Sequence, residues 1–243
     1  MVEQENGSRE VLFINPGQFS WRLDEGVHVW RFPAIPAGIN LLTVSERAFA
    51  NRFRFEGDRS RFAVGRQALR MLLSKYLSVP PMEVRISGEK RQKPFISMPS
   101  SHIHFNISHS GDWVLVALAV DELGIDIEKM IPDFKYDELL HEHFSETEQD
   151  FIFEAVDPVH AFYYLWTRKE ALTKAWGTGL HENLKMVSVL GEYSFSDLQK
   201  KIWRLDSFKI SAEYPAGLAY SGELKNIIYL DGKDLLHVSR EEA

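Results

Sequence analysis

Cysteine is absent from the 243 residues. That excludes disulfides, a thiol nucleophile and thiolate-ligated zinc, and it agrees with an expected cytoplasmic location. No apolar run approaches the roughly 20 residues that span a bilayer, so no membrane partner is expected. Residues 1–10 are polar and hold no apolar h-region, so no secretion signal is expected there. Low-complexity linkers, repeats and nucleic-acid recognition motifs are missing too, and the net charge is −7. Nucleic acid is therefore not an expected partner. What is there is ordinary globular composition, 44% hydrophobic and 26% charged, at a length that suits one large or two small domains.

The charge is unevenly spread. From Ser45 to Lys93 there are twelve Arg/Lys against five Asp/Glu, a local +7 inside an acidic chain. Such a segment reads either as an anion site or as a solvated helix face. Helices are expected at Ser45–Phe55, Arg59–Leu77 and His160–Trp176, the second because Phe62, Leu69, Leu72, Leu73 and Tyr76 recur at helical spacing. Ser145 and Glu148 predict a capping box, and Gly177 and Gly179 are expected to end the His160–Trp176 helix. Strands are expected at Val11–Ile14, Val27–Phe32, 84–86, 103–107, Trp113–Val120 and Leu123–Ile127. Others are expected at Met186–Leu190, Phe208–Glu213, Leu218–Ser221 and Ile227–Leu230. Interspersed strands and helices favour an α/β or α+β class.

Gly124-Ile125-Asp126-Ile127-Glu128 is apolar except for two acids two positions apart. In a strand such residues share a face, so Asp126 and Glu128 are expected to point together, with Ile125 and Ile127 toward the core. Trp166, Glu170 and Lys174 are spaced i, i+4, i+8 and share one side of a helix. Two carboxylates from a strand and one from a helix make a donor set for a hard cation such as magnesium. Without one, each like-charged pair at about 5 Å costs roughly 3 kcal/mol at an effective dielectric near 20. Taken alone, Asp126 and Glu128 read better as acids facing water at a strand end, and Lys174 reads also as a surface pair with Glu170.

Together these segments resemble the 4′-phosphopantetheinyl transferases of the surfactin-synthetase-activating type. That family carries G-[IV]-D-x-E followed by W-[ST]-x-K-E-[AS]-x-x-K, matched by Gly124–Glu128 and Trp166-Thr167-Arg168-Lys169-Glu170-Ala171-Leu172-Thr173-Lys174. Its F-N-[IL]-S-H-[ST] block is matched by Phe105-Asn106-Ile107-Ser108-His109-Ser110. Its G-K-P block is altered to Gln92-Lys93-Pro94. The likeness runs from about Arg47 to Gly179.

The resemblance implies an α+β fold of two similar halves, 1–121 and 122–243, related by a pseudo-twofold axis with the active site in the cleft between them. It implies transfer of 4′-phosphopantetheine from coenzyme A to a serine of an apo acyl or peptidyl carrier protein, with release of 3′,5′-ADP. Magnesium, or manganese, would be held by Asp126, Glu128 and Glu170. Asp126, Glu170 and Lys174 would form the catalytic group, with Glu170 as metal ligand or as base for the serine proton. Arg61, Lys93, Ser108, His109 and Lys174 would hold coenzyme A. Arg47, Arg52 and Arg54 either extend that patch or lie on a solvated face. Lys129 to Leu140 would meet the carrier or belong to the core, and a monomer is expected by analogy. Two other readings are a non-catalytic coenzyme A or carrier-binding module on the same fold, and a metal-dependent phosphoesterase.

Overall fold

The computed structural model describes residues 8–17, 19–23, 26–36, 40–88, 93–177, 184–196, 201–223 and 225–236. Gln92 and Gly179 lie outside them. In chain order the elements are β1 (Arg9–Glu10), β2 (Gly26–Pro33), α1 (Val44–Ala50), α2 (Glu56–Leu77), β3 (Arg85–Ser87), β4 (Phe95–Met98), β5 (His104–Ser110) and β6 (Trp113–Ala119). There follow β7 (Leu123–Ile127), α3 (Asp137–His143), α4 (Glu146–Phe153), α5 (Pro158–Trp176), β8 (Tyr193–Ser196), β9 (Lys201–Lys209), β10 (Pro215–Ser221) and β11 (Asn226–Asp231). The class is mixed α+β. No helix among the described residues is long and apolar enough to cross a membrane.

The chain divides into two units. The N-terminal unit comprises Leu12–Glu89, Pro94–Val120 and Lys225–Ala243; the C-terminal unit comprises Met1–Val11, Lys90–Lys93 and Asp121–Leu224. The two chain ends are exchanged, because β1 pairs parallel with β9 and β11 pairs parallel with β2. Each end strand supplies backbone partners to the far half of the chain, which sequence spacing does not announce.

In the N-terminal unit the sheet order is β11-β2-β6-β5, with β3 and β4 as a separate hairpin. The sheet contributes Trp30, Phe32, Val114, Val116 and Leu118 to the core, and α2 contributes Leu69, Leu72 and Leu73. Burying each such side chain stabilises the unit by about 1.5–3 kcal/mol. Helix α1 starts at a capping box made by Thr43 and Glu46. It stops at Ala50, short of the expected Phe55. Strands β5 and β6 are joined by a two-residue turn in which Gly111 has φ 53°. The pairing carries β5 on to Ser110, so His109 stands on the strand, beyond its expected end at 107.

In the C-terminal unit the order is β1-β9-β10-β7, with β8 added to β9. Strands β6 and β7 join different sheets, so Val120-Asp121-Glu122 is a crossing and not a hairpin turn. The Ser145–Glu148 capping box forms at the start of α4. Helix α5 ends at Gly177, whose φ is 75°. Leu184–Met186 forms a 3₁₀ turn where Met186–Leu190 was expected to be a strand. Strand β9 ends at Lys209 because Ile210 and Tyr214 close a turn (Ile210 N donates to Tyr214 O at 3.1 Å). Val11–Ile14 contributes a single bridge, Ile14 to Leu230.

Candidate functional site

Helix α5 and strand β7 meet through glycine. A Cβ on Gly124 would fall 2.1 Å from Ala171 O and 2.3 Å from Ala175 N. Gly217, paired with Asp126 across β10 and β7, would place a Cβ 2.5 Å from Thr167 O. The two glycines let the helix backbone lie directly on the sheet. Gly124, Asp126 and Glu128 share one strand face, so both acids face the helix. Ile125 and Ile127, on the opposite face, are also fully buried. The rival reading of acids facing water fails for Asp126, which is 2% exposed. The strand is covered on both sides.

From Ala161 to Ala175 every α5 residue is buried except Trp166, Glu170 and Lys174. That is the i, i+4, i+8 stripe. Trp166 packs among Phe162, Phe144 and His143, so it fixes the helix. Lys174 Nζ donates to Asp126 Oδ1 at 2.6 Å. Burial, and then the charge of Asp126, push the Glu170 carboxyl up to about 7, with Lys174 opposing. Lys174 is thus paired with Asp126, and the charges of both act on Glu170.

Glu128 lies at the end of the strand that carries Asp126. Its N donates to Pro215 O, one residue past the end of β7. Its charge contributes to raising the phenol pKa of Tyr163, after the larger effect of burial. Tyr163 lies two helical turns before Glu170, about 10 Å along the axis. Among the described residues no three His, Cys, Asp or Glu gather closely enough to hold a metal ion. The expected set Asp126, Glu128 and Glu170 is not gathered around one point among the described residues. Asp126 and Glu170 still fit magnesium, which usually takes one or two carboxylates and fills its shell with water and phosphate.

The neighbouring cations of α5 have a different task. Lys169 forms an ion pair with Glu148 at 2.9 Å, both fully buried. Arg168 Nε donates to Val189 O at 2.6 Å and Nη1 to Ser207 Oγ at 2.7 Å. Lys93, expected on coenzyme A, donates instead to the carbonyls of Leu123 and Ala175. Burial pushes its ammonium down to about 8, against the charge of Glu122. Its stem covers Gly177. Carbonyls at a helix C-terminus lack intrahelical donors and attract a cation, which is the reason for this placement.

The N-terminal unit holds a separate cavity of about 210 Å³ between α2 and β5, lined by Arg61, Phe62, Arg66, Asn106, Ile107 and His109 among others. Arg61 is braced by Asp58 Oδ1 at 2.5 Å and Gly111 O at 3.0 Å. Arg66 lies over Phe62 at 5.7 Å. Burial disfavours its charge, while Glu46 favours it. Ser108 does not line the cavity, since strand alternation turns it away from His109, and it is 5% exposed. Asn106 and Arg66 were missed as site residues, although Asn106 stands in the same sequence block as His109 and Arg66 follows Gly65. Arg70 belongs to the fold. It is 2% exposed and forks onto both Glu46 oxygens at 2.9 and 3.1 Å. Arg47 donates to Leu42 O, and Arg52 and Arg54 lie over Phe49 and Phe55. In the 129–140 segment, Met130, Phe134 and Leu139 pack on the core, whereas Ile131 is 54% exposed.

Comparison with known proteins follows the same division. A family model described as "4′-phosphopantetheinyl transferase, N-terminal" matches residues 34–121. A second, "4′-phosphopantetheinyl transferase superfamily", matches residues 122–219. The 4′-phosphopantetheinyl transferase HetI of Nostoc sp. is 35% identical over 169 residues, which cover 65% of this chain and 71% of that one. The 4′-phosphopantetheinyl transferase Sfp of Bacillus subtilis is 34% identical over 154 residues, 62% of this chain and 67% of its own. The 4′-phosphopantetheinyl transferase ffp of Bacillus subtilis is 32% identical over 163 residues, again 62% and 67%.

Proposed function

Because this chain belongs to the 4′-phosphopantetheinyl transferase superfamily and is an enzyme of that class, we propose that it moves 4′-phosphopantetheine from coenzyme A to a serine hydroxyl of an apo acyl or peptidyl carrier protein, with magnesium, releasing 3′,5′-ADP. The supporting observation is the Asp126–Glu170 carboxylate pair with Lys174 on it.

Asp126 and Glu170 would hold the metal, and Glu128 is proposed as a third, outer ligand. When bound, magnesium stabilises negative charge on the diphosphate. Lys174 would donate to the diphosphate oxygens and offset charge on the leaving group. Glu170 is proposed as metal ligand or as base for the serine proton; its carboxyl, pushed up to about 7 in the metal-free protein, suits the second role only where magnesium does not hold it. Arg61 and Arg66 supply cationic donors, and His109 a ring N–H donor, for the phosphates of the nucleotide end. Exposed Ile131 offers the carrier an apolar contact. Lys93 is assigned to the C-terminus of α5. The pseudo-twofold relation of the halves, a shared cleft and a monomeric state are part of this proposal by family likeness.

The test is the intact mass of an apo carrier domain after incubation with the protein, coenzyme A and magnesium. A gain equal to phosphopantetheine is expected. No gain across several acyl and peptidyl carriers would sink the proposal.

A further inference from the structure

The buried pair Lys169–Glu148 has a complete set of partners. Besides Glu148, the ammonium donates to Leu184 O at 3.0 Å and Val187 O at 2.9 Å, which uses all three of its donors. Glu148 also accepts from Ser145 N at 2.9 Å and from Val189 N at 3.0 Å. Arg168 continues the network to Val189 O and to Ser207 Oγ on β9. Two adjacent cations of α5 therefore tie the start of α4, the 184–191 segment and β9 to one side of the helix.

Stability alone does not account for such a pair. Exchanging a buried ion pair for apolar residues of similar volume often leaves stability unchanged or higher. What the pair adds is a fixed helix rotation. Consecutive helical residues point about 100° apart. With Lys169 locked onto Glu148, Glu170 is turned to the side where Asp126 lies. The glycine seats at Gly124 and Gly217 set how near α5 approaches the sheet. They seat the Thr167, Ala171 and Ala175 side of the helix on the sheet, and Lys169, about 160° round the helix from Ala171, pins the opposite side.

We propose that the Lys169–Glu148 ion pair is a positioning device for the transfer site, holding α5 in the rotation that sets the Glu170 carboxylate against Asp126. This rests on the function proposed above. Both side chains are fully buried, so the proposal gives neither a contact with substrate.

The experiment compares wild type with Glu148→Gln, Lys169→Met and the double variant. Glutamine keeps the side-chain volume and an oxygen for Val189 N, and methionine keeps an unbranched stem without charge. The readouts are kcat, KM for coenzyme A, folded fraction by circular dichroism, and the rise in melting temperature caused by magnesium. All three variants are expected to lose at least tenfold in kcat, with KM for coenzyme A within twofold of wild type. The magnesium-induced rise should fall to less than half, including in the double variant once its melting temperature has recovered. A folded double variant with wild-type kcat and magnesium response overturns the proposal. So does a loss of kcat that only follows the folded fraction, or a double variant that cannot fold at all. Absence of transfer by wild type would instead sink the function reading, and the magnesium response would still decide this one.

Discussion

Replacing Gly124 by alanine tests the helix–strand seat on which the site depends. The added methyl would stand 2.1 Å from Ala171 O, where ordinary contact begins at 3.4 Å. Both this atom and Ala175 N belong to the α5 backbone, so no side chain can swing aside. The helix must withdraw by 3.4 − 2.1, about 1.3 Å, at that turn. Overfilling a packed interface costs about 1–3 kcal/mol, and a clash with backbone puts this case at the upper end. For a chain of this size about 3 kcal/mol lowers the melting temperature by about 6–12 °C. Misplacing a reacting group by about 1 Å costs about 100-fold in rate. Glu170 and Lys174 ride on the helix that moves, so kcat should fall about 100-fold. KM for coenzyme A should stay within about threefold, because the cavity of Arg61 and His109 is built by residues of the N-terminal unit. Steady-state transfer to an apo carrier and a thermal melt supply both readouts. A Gly124→Ala protein with wild-type kcat and melting temperature would refute the reasoning.

The raised carboxyl of Glu170 gives a pH dependence with a definite sign. Its folded value is about 7 against a reference of 4.5, so this group's contribution to stability is full below pH 4.5 and is lost as the pH rises through 7. Allowing for its partial exposure, the loss is about 2–3 kcal/mol. The metal-free protein should melt lower at pH 8 than at pH 6, Glu170→Gln should flatten that difference, and magnesium should raise the melting temperature more at pH 8. An unchanged pH profile in Glu170→Gln would contradict the assignment. Asp126→Ala should lose at least about 100-fold in transfer while remaining folded, since the Lys174 side chain is 29% exposed and can turn to water; full activity would remove Asp126 from the site. His109→Ala should raise KM for coenzyme A about tenfold with little change in kcat, an effect of about 1.4 kcal/mol; an unaltered KM would exclude His109 from the anion cavity.

Local pattern carried much of this architecture. The spacing of Leu69, Leu72 and Leu73 announced α2, and Ser145 with Glu148 announced the start of α4, because propensity and capping act over a few residues. The stripe Trp166, Glu170 and Lys174 was legible for the same reason. Strand β8, the short hairpin strand β4 and the 3₁₀ turn at Leu184–Met186 were not, since short edge segments depend on partners distant in sequence.

The site divides along the same line. Which residue types are present, their order, and the match to a family of pantetheine transferases were properties of the sequence alone. That Asp126 is covered on both strand faces, that Lys93 lies on the carbonyls of Leu123 and Ala175, and that Lys169 is sealed against Glu148 were decided only by tertiary structure. So was the exchange of β1 and β11. The physical reason is common to all of these. A side chain's charge and reach are local properties, whereas its burial and its partners are set by whichever backbone the fold brings alongside, here through two glycines that admit a helix onto a sheet.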